Sequence, residues 1–293
     1  MTRAGAANPI VCLNGEFLPL DQARVPVMDR GFLFGDGVYE VIPAYDRQPF
    51  RLAGHLRRLD RSLAGIRLAN PHDDGKWAEL VRAVIESAPW DDVGVLLQVT
   101  RGSGPREHAF PAQVMPTVFL MPLALQPPEQ VAVARGVAAV TAQDNRWLRC
   151  DLKTISLLGN VLLRQLSVDA GCAETILLRD GWLTEGTASN VLIVRDGVLL
   201  TPPETPLLLP GITHEVVLEL ARAHGMAHAT RPIHEDELRA ADEIWITSST
   251  KEVLAVTCLD GHPVGTGRPG PIFQRMLRVY REYKRAVMRA GRA

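Results

Sequence analysis

Apolar residues recur every third or fourth position in LAGHLRRLDRSLAGIRL (52–68) and KWAELVRAVIESA (76–88), a spacing that predicts two amphipathic helices. Around them, GVYEVIPAY (37–45), VGVLLQVTRG (93–102) and TVFLMPL (117–123) are short, rich in β-branched and aromatic residues, and read as strands. The N-terminal part is therefore expected to be α+β. In PLALQPPEQ (122–130) the prolines break helices and interrupt strand ladders, so this stretch is the natural linker. It places a domain boundary near residue 128.

Beyond it, VAVARGVAAVTA (131–142) reads as an apolar strand, and a helix is expected to begin after Ser156. The strands AETILLRDG (173–181), SNVLIVRDG (189–197) and VLLTP (198–202) follow, and each Asp-Gly supplies the positive φ angles that a tight hairpin needs. PGITHEVVLELARAHG (210–225) predicts a turn, an N-capping threonine, a helix and a terminal glycine. The strand DEIWITSST (242–250) and the helix PIFQRMLRVYREYKRAV (271–287) close the chain. The expected fold class is α/β (α+β) in two domains, 1–128 and 129–293, the second larger and β-rich with flanking helices. A chain of 293 residues exceeds the size at which one core keeps growing, which agrees with two domains.

The net charge is −1, with no basic stripe, so no nucleic-acid partner is expected. No window approaches the ~20 apolar residues of a membrane span, and the first residues lack the apolar core of a signal peptide. A cytoplasmic location is the expectation. Cys12, Cys150, Cys172 and Cys258 are too scattered for a disulfide framework and read as reduced thiols. His224 and His228 are four apart, but Gly225 interrupts their helix, and no metal site is expected.

One compositional bias changes the picture. Of the 32 basic residues 28 are arginine, and the lysines are only Lys76, Lys153, Lys251 and Lys284. Lys153 alone stands beside an apolar run, Ile155, Leu157 and Leu158, in RWLRCDLKTISLLGN (146–160). It either lays its methylenes on apolar surface and reaches its ammonium to water or to Asp151, or it is a desolvated amine able to attack an aldehyde. The usual aldehyde, pyridoxal phosphate, would need an anion site, a partner for its pyridine nitrogen and an anchor for the substrate carboxylate.

Candidates for each need exist. LPGITHEVV delivers Ile212 and Thr213 to a helix start, where unpaired N–H groups favour a phosphate, and the TSST hydroxyls (247–250) form a second arm or a polar turn. Arg58 is either a charged contact or an exposed helix arginine. In TEGTASN (184–190), Glu185 sits between two expected strands as a ring-nitrogen partner or a turn glutamate. The loop RGSGPREHAFP (101–111) gathers Arg101, Arg106 and His108 as a carboxylate receptor or as a solvated basic loop.

Taken together, DRGFLFGDGVYEV, QVTRGSGPREHAFP, RWLRCDLKTISLLGN, GCAETILLRDGWLTEGTASNV and LPGIT resemble, in order and spacing, the fold-type IV pyridoxal-phosphate-dependent aminotransferases. The likeness runs along nearly the whole chain and is greatest to the D-amino acid transaminase branch. It implies that Lys153 is the Schiff-base and proton-moving lysine and Glu185 the pyridine-nitrogen partner. Arg58, Ile212, Thr213, Ser249 and Thr250 would hold the phosphate, and Leu209 would lie beside the ring. Tyr39, Arg106 and His108 would bind the substrate carboxylate, the arginine and histidine reaching in from a neighbouring subunit of a homodimer.

The implied reaction moves an amino group between a D-amino acid such as D-alanine and a 2-oxo acid such as 2-oxoglutarate or pyruvate. The Arg-x-His pair of PREH separates this branch from the branched-chain L-amino acid transaminases and aminodeoxychorismate lyases of the same fold; a non-catalytic binder of small anions is a further alternative. Two departures bear on it. Ala188 stands where a serine is common, and Glu107 places a negative charge between Arg106 and His108.

Overall fold

A computed structural model describes residues 8–113, 115–126 and 128–290. The chain gathers into two compact units: the first runs up to Gln126 and takes in Leu152–Leu157, and the second holds the remainder.

In the first unit the strands are β1 (Ile10–Leu13), β2 (Glu16–Pro19), β3 (Gly37–Tyr45), β4 (Gln48–Pro49), β5 (Val93–Thr100) and β6 (Thr117–Ala124). They form one antiparallel sheet in the order β2-β1-β6-β5-β3-β4. A short helix α1 (Arg30–Phe34) precedes β3, and the two periodic stretches become α2 (Leu52–Gly65) and α3 (Asp74–Ser87). Leu56, Leu59 and Leu63 of α2 and Trp77, Leu80, Val81 and Val84 of α3 meet Val38, Ile42, Val95 and Leu97 of the sheet in one core. At about 1.5–3 kcal/mol for each fully buried side chain, this packing dominates the stability of the unit. Strand β6 continues through Pro122 to Ala124, so the connection begins later than its first proline suggests.

The second unit begins with α4 (Gln130–Arg135), β7 (Val137–Gln143) and α5 (Leu158–Asp169). The strands β8 (Glu174–Arg179), β9 (Trp182–Gly186), β10 (Asn190–Arg195) and β11 (Val198–Thr201) follow. Then come α6 (Ile212–Ala223), β12 (His228–Thr230), α7 (Glu235–Arg239), β13 (Glu243–Ser248), β14 (Glu252–Leu259), β15 (His262–Pro263) and α8 (Pro271–Ala290). Their nine-stranded sheet runs β12-β11-β10-β13-β14-β7-β8-β9, with β15 paired to β14. Ile176, Val191, Ile193, Ile244, Ile246 and Val256 fill one core on it.

Both Asp-Gly hairpins form as the sequence predicts. Asp180 and Gly181 have φ of 52° and 82°, and Asp196 and Gly197 have 50° and 78°, the pair of positive angles that matches strand twist.

Three local expectations are corrected. Residues 131–135 belong to helix α4 and not to a strand, because Gly136, at φ 77°, breaks the chain between helix and β7. Thr213 is no N-cap: that position is Gly211, and Thr213 lies buried inside the first turn of α6. Glu185 sits within strand β9 and not between strands, inside the register shift that β9 makes against β8 between Leu183 and Gly186.

Candidate active site

In the first unit, Lys153 is fixed through its backbone. Its carbonyl accepts from the Tyr39 N–H at 2.9 Å, its own N–H donates to Ser62 Oγ at 3.2 Å, and Ile155 N–H donates to the Gly37 carbonyl at 3.1 Å. Thr154 bridges to Val38, so this segment adds an extra strand-like pairing to the start of β3, which β4 leaves uncovered. Lys153 Nζ then lies 4.4 Å from the centre of the Tyr39 ring. The expected partner Asp151 is instead engaged by Arg149 at 3.0 Å.

Arg58 belongs to a buried cluster that the sequence reading missed. Its Nε and Nη2 donate to the two oxygens of Glu40 at 2.7 Å each, and His55 Nδ1 lies 2.8 Å from Glu40 Oε2. Glu40 and His55 are wholly buried, and Arg58 is 4% exposed. Burial raises the Glu40 carboxyl, but the charge and hydrogen bonds of Arg58 outweigh it and hold the group far below the usual carboxylate range. Burial also lowers His55 against the pull of Glu40, which favours the neutral ring with Nδ1–H donating. Its Nε2 is buried without a partner among the described residues. The signal was available, since Glu40 occupies an inward strand position between Val38 and Ile42, where a charge demands a partner.

The loop residues Arg106 and His108 are exposed, and the His108 ring meets Phe34 edge-on at 5.6 Å.

In the second unit, Glu185 is 5% exposed and held at both oxygens. Arg146 Nη1 donates to Oε1 at 2.8 Å, and the Leu209 N–H donates to Oε2 at 3.0 Å. Arg146 is itself gripped by both oxygens of Asp144 at 2.9 Å, to which Thr184 also donates. Arg146 lies in the quoted RWLRC stretch and is a second residue that sequence reasoning passed over. Burial pushes Glu185 up to about 7, against the charge of Arg146 and the Leu209 N–H.

A carboxyl raised on folding contributes stability that is full below its unfolded value near 4.5 and is lost as pH rises through about 7. The cofactor-free Glu185→Gln variant stays neutral at every pH. Its melting temperature should match that of the natural protein near pH 4 and exceed it increasingly between about pH 5 and 8. A difference independent of pH, followed by calorimetry, would refute this.

Ile212 and Thr213 open α6, and no side chain caps that helix start. Its first N–H groups therefore lack the usual side-chain acceptor. A Cβ on Gly211 would come within 1.9 Å of Asn190 Oδ1, so any larger residue in the Pro-Gly turn would have to displace the Asn190 amide, which donates to the Leu209 carbonyl. Helix α6 packs on β13, at whose end Ser249 and Thr250 form a turn, and the buried Thr247 hydroxyl has no partner among the described residues. Lys251, which the sequence presents as an ordinary polar lysine, anchors that turn by donating to the buried Glu174 at 3.0 Å. Glu174 also accepts from the Thr187 and Ser189 hydroxyls, and Ala188 lies exposed between them.

An uncapped helix start, an orphan hydroxyl at a neighbouring strand end and a buried carboxylate held at a fixed angle suit a phosphorylated, nitrogen-containing ring. Comparison with known proteins gives the same direction. The Amino-transferase class IV family matches residues 37–259.

The chain belongs to the class IV aminotransferases.

A D-alanine aminotransferase from Bacillus licheniformis is 41% identical over 89% of this chain and 92% of its own length. One from Staphylococcus epidermidis is 36% identical over 93% and 97%. Among solved structures, a T.th. branched-chain amino acid aminotransferase with pyridoxamine 5'-phosphate superposes with a TM-score of 0.88 at 26% identity, covering 94% of each chain. The Escherichia coli branched-chain enzyme gives 0.85 at 27% identity, covering 93% of each. The protein is thus an aminotransferase of fold type IV, and its cofactor is the pyridoxal phosphate of that family. No helix among the described residues is long and apolar enough to cross a membrane.

Proposed function

We propose that this aminotransferase moves an amino group between a D-amino acid such as D-alanine and a 2-oxo acid such as pyruvate or 2-oxoglutarate. The observation that carries the reading is the 41% identity to a D-alanine aminotransferase along 89% of the chain, against 26–27% to the branched-chain enzymes. The exposed Arg106-x-His108 pair supports it, as a receptor for the substrate carboxylate together with Tyr39.

When bound, pyridoxal phosphate supplies an aldehyde carbon and a ring that stores the electron pair left when the substrate Cα–H bond breaks. Lys153 Nζ takes the Cα proton and returns it, held by a backbone that three hydrogen bonds keep still. Glu185 would accept from the ring N–H, and Arg146 and the Leu209 N–H keep its carboxylate from turning. Leu209 would be the apolar neighbour of the ring. The N–H groups of Ile212 and Thr213, the hydroxyls of Ser249 and Thr250, and the charge of Arg58 would hold its phosphate.

The working form is a homodimer with shared active sites. On α5, Leu158, Val161, Leu162 and Leu166 leave an apolar stripe exposed, with Leu158 at 71% and Leu162 at 63%, as a second copy would cover. Sedimentation at the mass of one chain would refute the dimer. The protein acts in the cytoplasm on small amino acids and 2-oxo acids.

Separate additions of D-alanine and L-leucine to the purified holoenzyme test the substrate. D-alanine should convert the cofactor's absorbance to that of the aminated form within seconds, and L-leucine should leave it unchanged. The reverse outcome would assign the branched-chain activity, and pyruvate released from aminodeoxychorismate without an acceptor would assign the lyase.

A further inference from the structure

The loop bearing Arg106 and His108 is exposed from Pro105 to Phe110, yet it has a built anchor underneath. Fixing the backbone of such a loop costs conformational entropy at every residue, so its geometry needs an explicit hold. Arg30, the first residue of α1, is 3% exposed. Its Nη1 donates to the Glu107 carbonyl at 2.6 Å and its Nη2 to the His108 carbonyl at 3.4 Å. Its Nε donates to Asp36 Oδ2 at 2.8 Å, and the same oxygen accepts from Arg101 Nε at 2.8 Å.

Arg101, 2% exposed, holds the far end of the loop. Its Nη1 and Nη2 donate to the carbonyls of Arg67 and Ile66 at 3.2 and 2.7 Å, and its guanidinium lies 3.8 Å from the centre of the Phe110 ring. One carboxylate thus orients two planar guanidinium groups. One grips the loop at residues 107 and 108, and the other clasps the ring where the loop ends.

We infer that Arg30 is a positioning residue for recognition of the substrate carboxylate, holding Arg106 and His108 at the separation that one carboxylate requires. The inference rests on the proposed role of those two side chains. The clamp tolerates Glu107 in this position: the hold on residue 107 passes through its backbone oxygen, so the nature of its side chain is immaterial to the clamp. A lysine could pair with Asp36 but lacks the planar fork that reaches a carboxylate and two carbonyls together.

The test uses holoenzyme and two amines, D-alanine and isopropylamine, in which a methyl group replaces the carboxylate. Loss of one charge-assisted contact to a carboxylate weakens its binding by about ten- to a hundredfold. Arg30→Gln should therefore raise KM for D-alanine about ten- to a hundredfold, change kcat less, and leave isopropylamine within about twofold. Arg30→Lys should fall between. Hydrogen exchange of the 103–110 amides should quicken in Arg30→Gln.

Arg106→Ala separates the two ideas. If it raises the D-alanine KM selectively and Arg30→Gln does not, the clamp is refuted while the receptor stands. If Arg106→Ala treats both amines alike, the receptor reading fails and the clamp's function with it. Should Arg30→Gln not fold, Arg30→Lys keeps the pair with Asp36 and loses only the fork that grips the two loop carbonyls. A selective rise in D-alanine KM, smaller than that of Arg106→Ala, is then expected, and an unchanged KM with faster loop exchange would overturn the inference.

Discussion

Lys153→Ala should lower transamination by about four orders of magnitude or more, because it removes both the amine that bonds the cofactor and the group that moves the proton, and positioned proton transfer alone contributes about 10²–10⁴. The fold should survive. The segment is held by its backbone and by Thr154 and Ile155, and the alanine keeps the bonds to Tyr39 and Ser62. Circular dichroism should be unchanged, and borohydride should fix the cofactor to the natural chain at Lys153 but not to the variant. Small primary amines should restore part of the rate. Near-normal turnover by the variant without added amine would end the assignment.

The second large effect falls on stability. Glu40→Leu should destabilise the first unit by about 3–5 kcal/mol, since it leaves the buried Arg58 without its carboxylate and His55 without its acceptor. Joint replacement with Arg58→Leu should recover most of the loss, because an apolar pair of similar volume often replaces a buried ion pair without penalty. The natural pair also sets an acid limit. The Glu40 carboxyl is lowered on folding, so its contribution is full above the unfolded value near 4.5 and fades as pH falls toward the much lower folded value. Denaturant titrations at about pH 7 and pH 3 should show the Glu40→Leu penalty shrinking in acid. A penalty below about 1 kcal/mol at neutral pH would mean that Arg58 finds equivalent partners elsewhere.

Much of this protein was legible residue by residue. Apolar spacing of three and four marked α2 and α3, richness in β-branched and aromatic residues marked β3 and β5, and two Asp-Gly pairs marked hairpins. These are local signals, set by backbone sterics and by the period at which side chains return to one face. The scarcity of lysine drew attention to Lys153, and the order of five motifs indicated the family. Local rules failed where short apolar runs fit two periods, as in 131–135, or where a threonine next to a helix start looked like its cap.

What only the tertiary structure decided is which distant groups compensate one another. Sequence alone determined the residue types, the local elements and the candidate chemistry, because each depends on neighbours within a few positions. It did not determine that Leu152–Leu157 packs with the first unit, pairing Thr154 with Val38 more than a hundred residues earlier. Nor did it show that Glu40 sits between His55 and Arg58, that Arg146 bridges Asp144 and Glu185, or that Arg30 holds the Glu107 carbonyl. A buried charge must find an opposite charge or a hydrogen bond wherever the fold offers one. That demand is written in composition, but the partner is chosen by the packing of the whole chain.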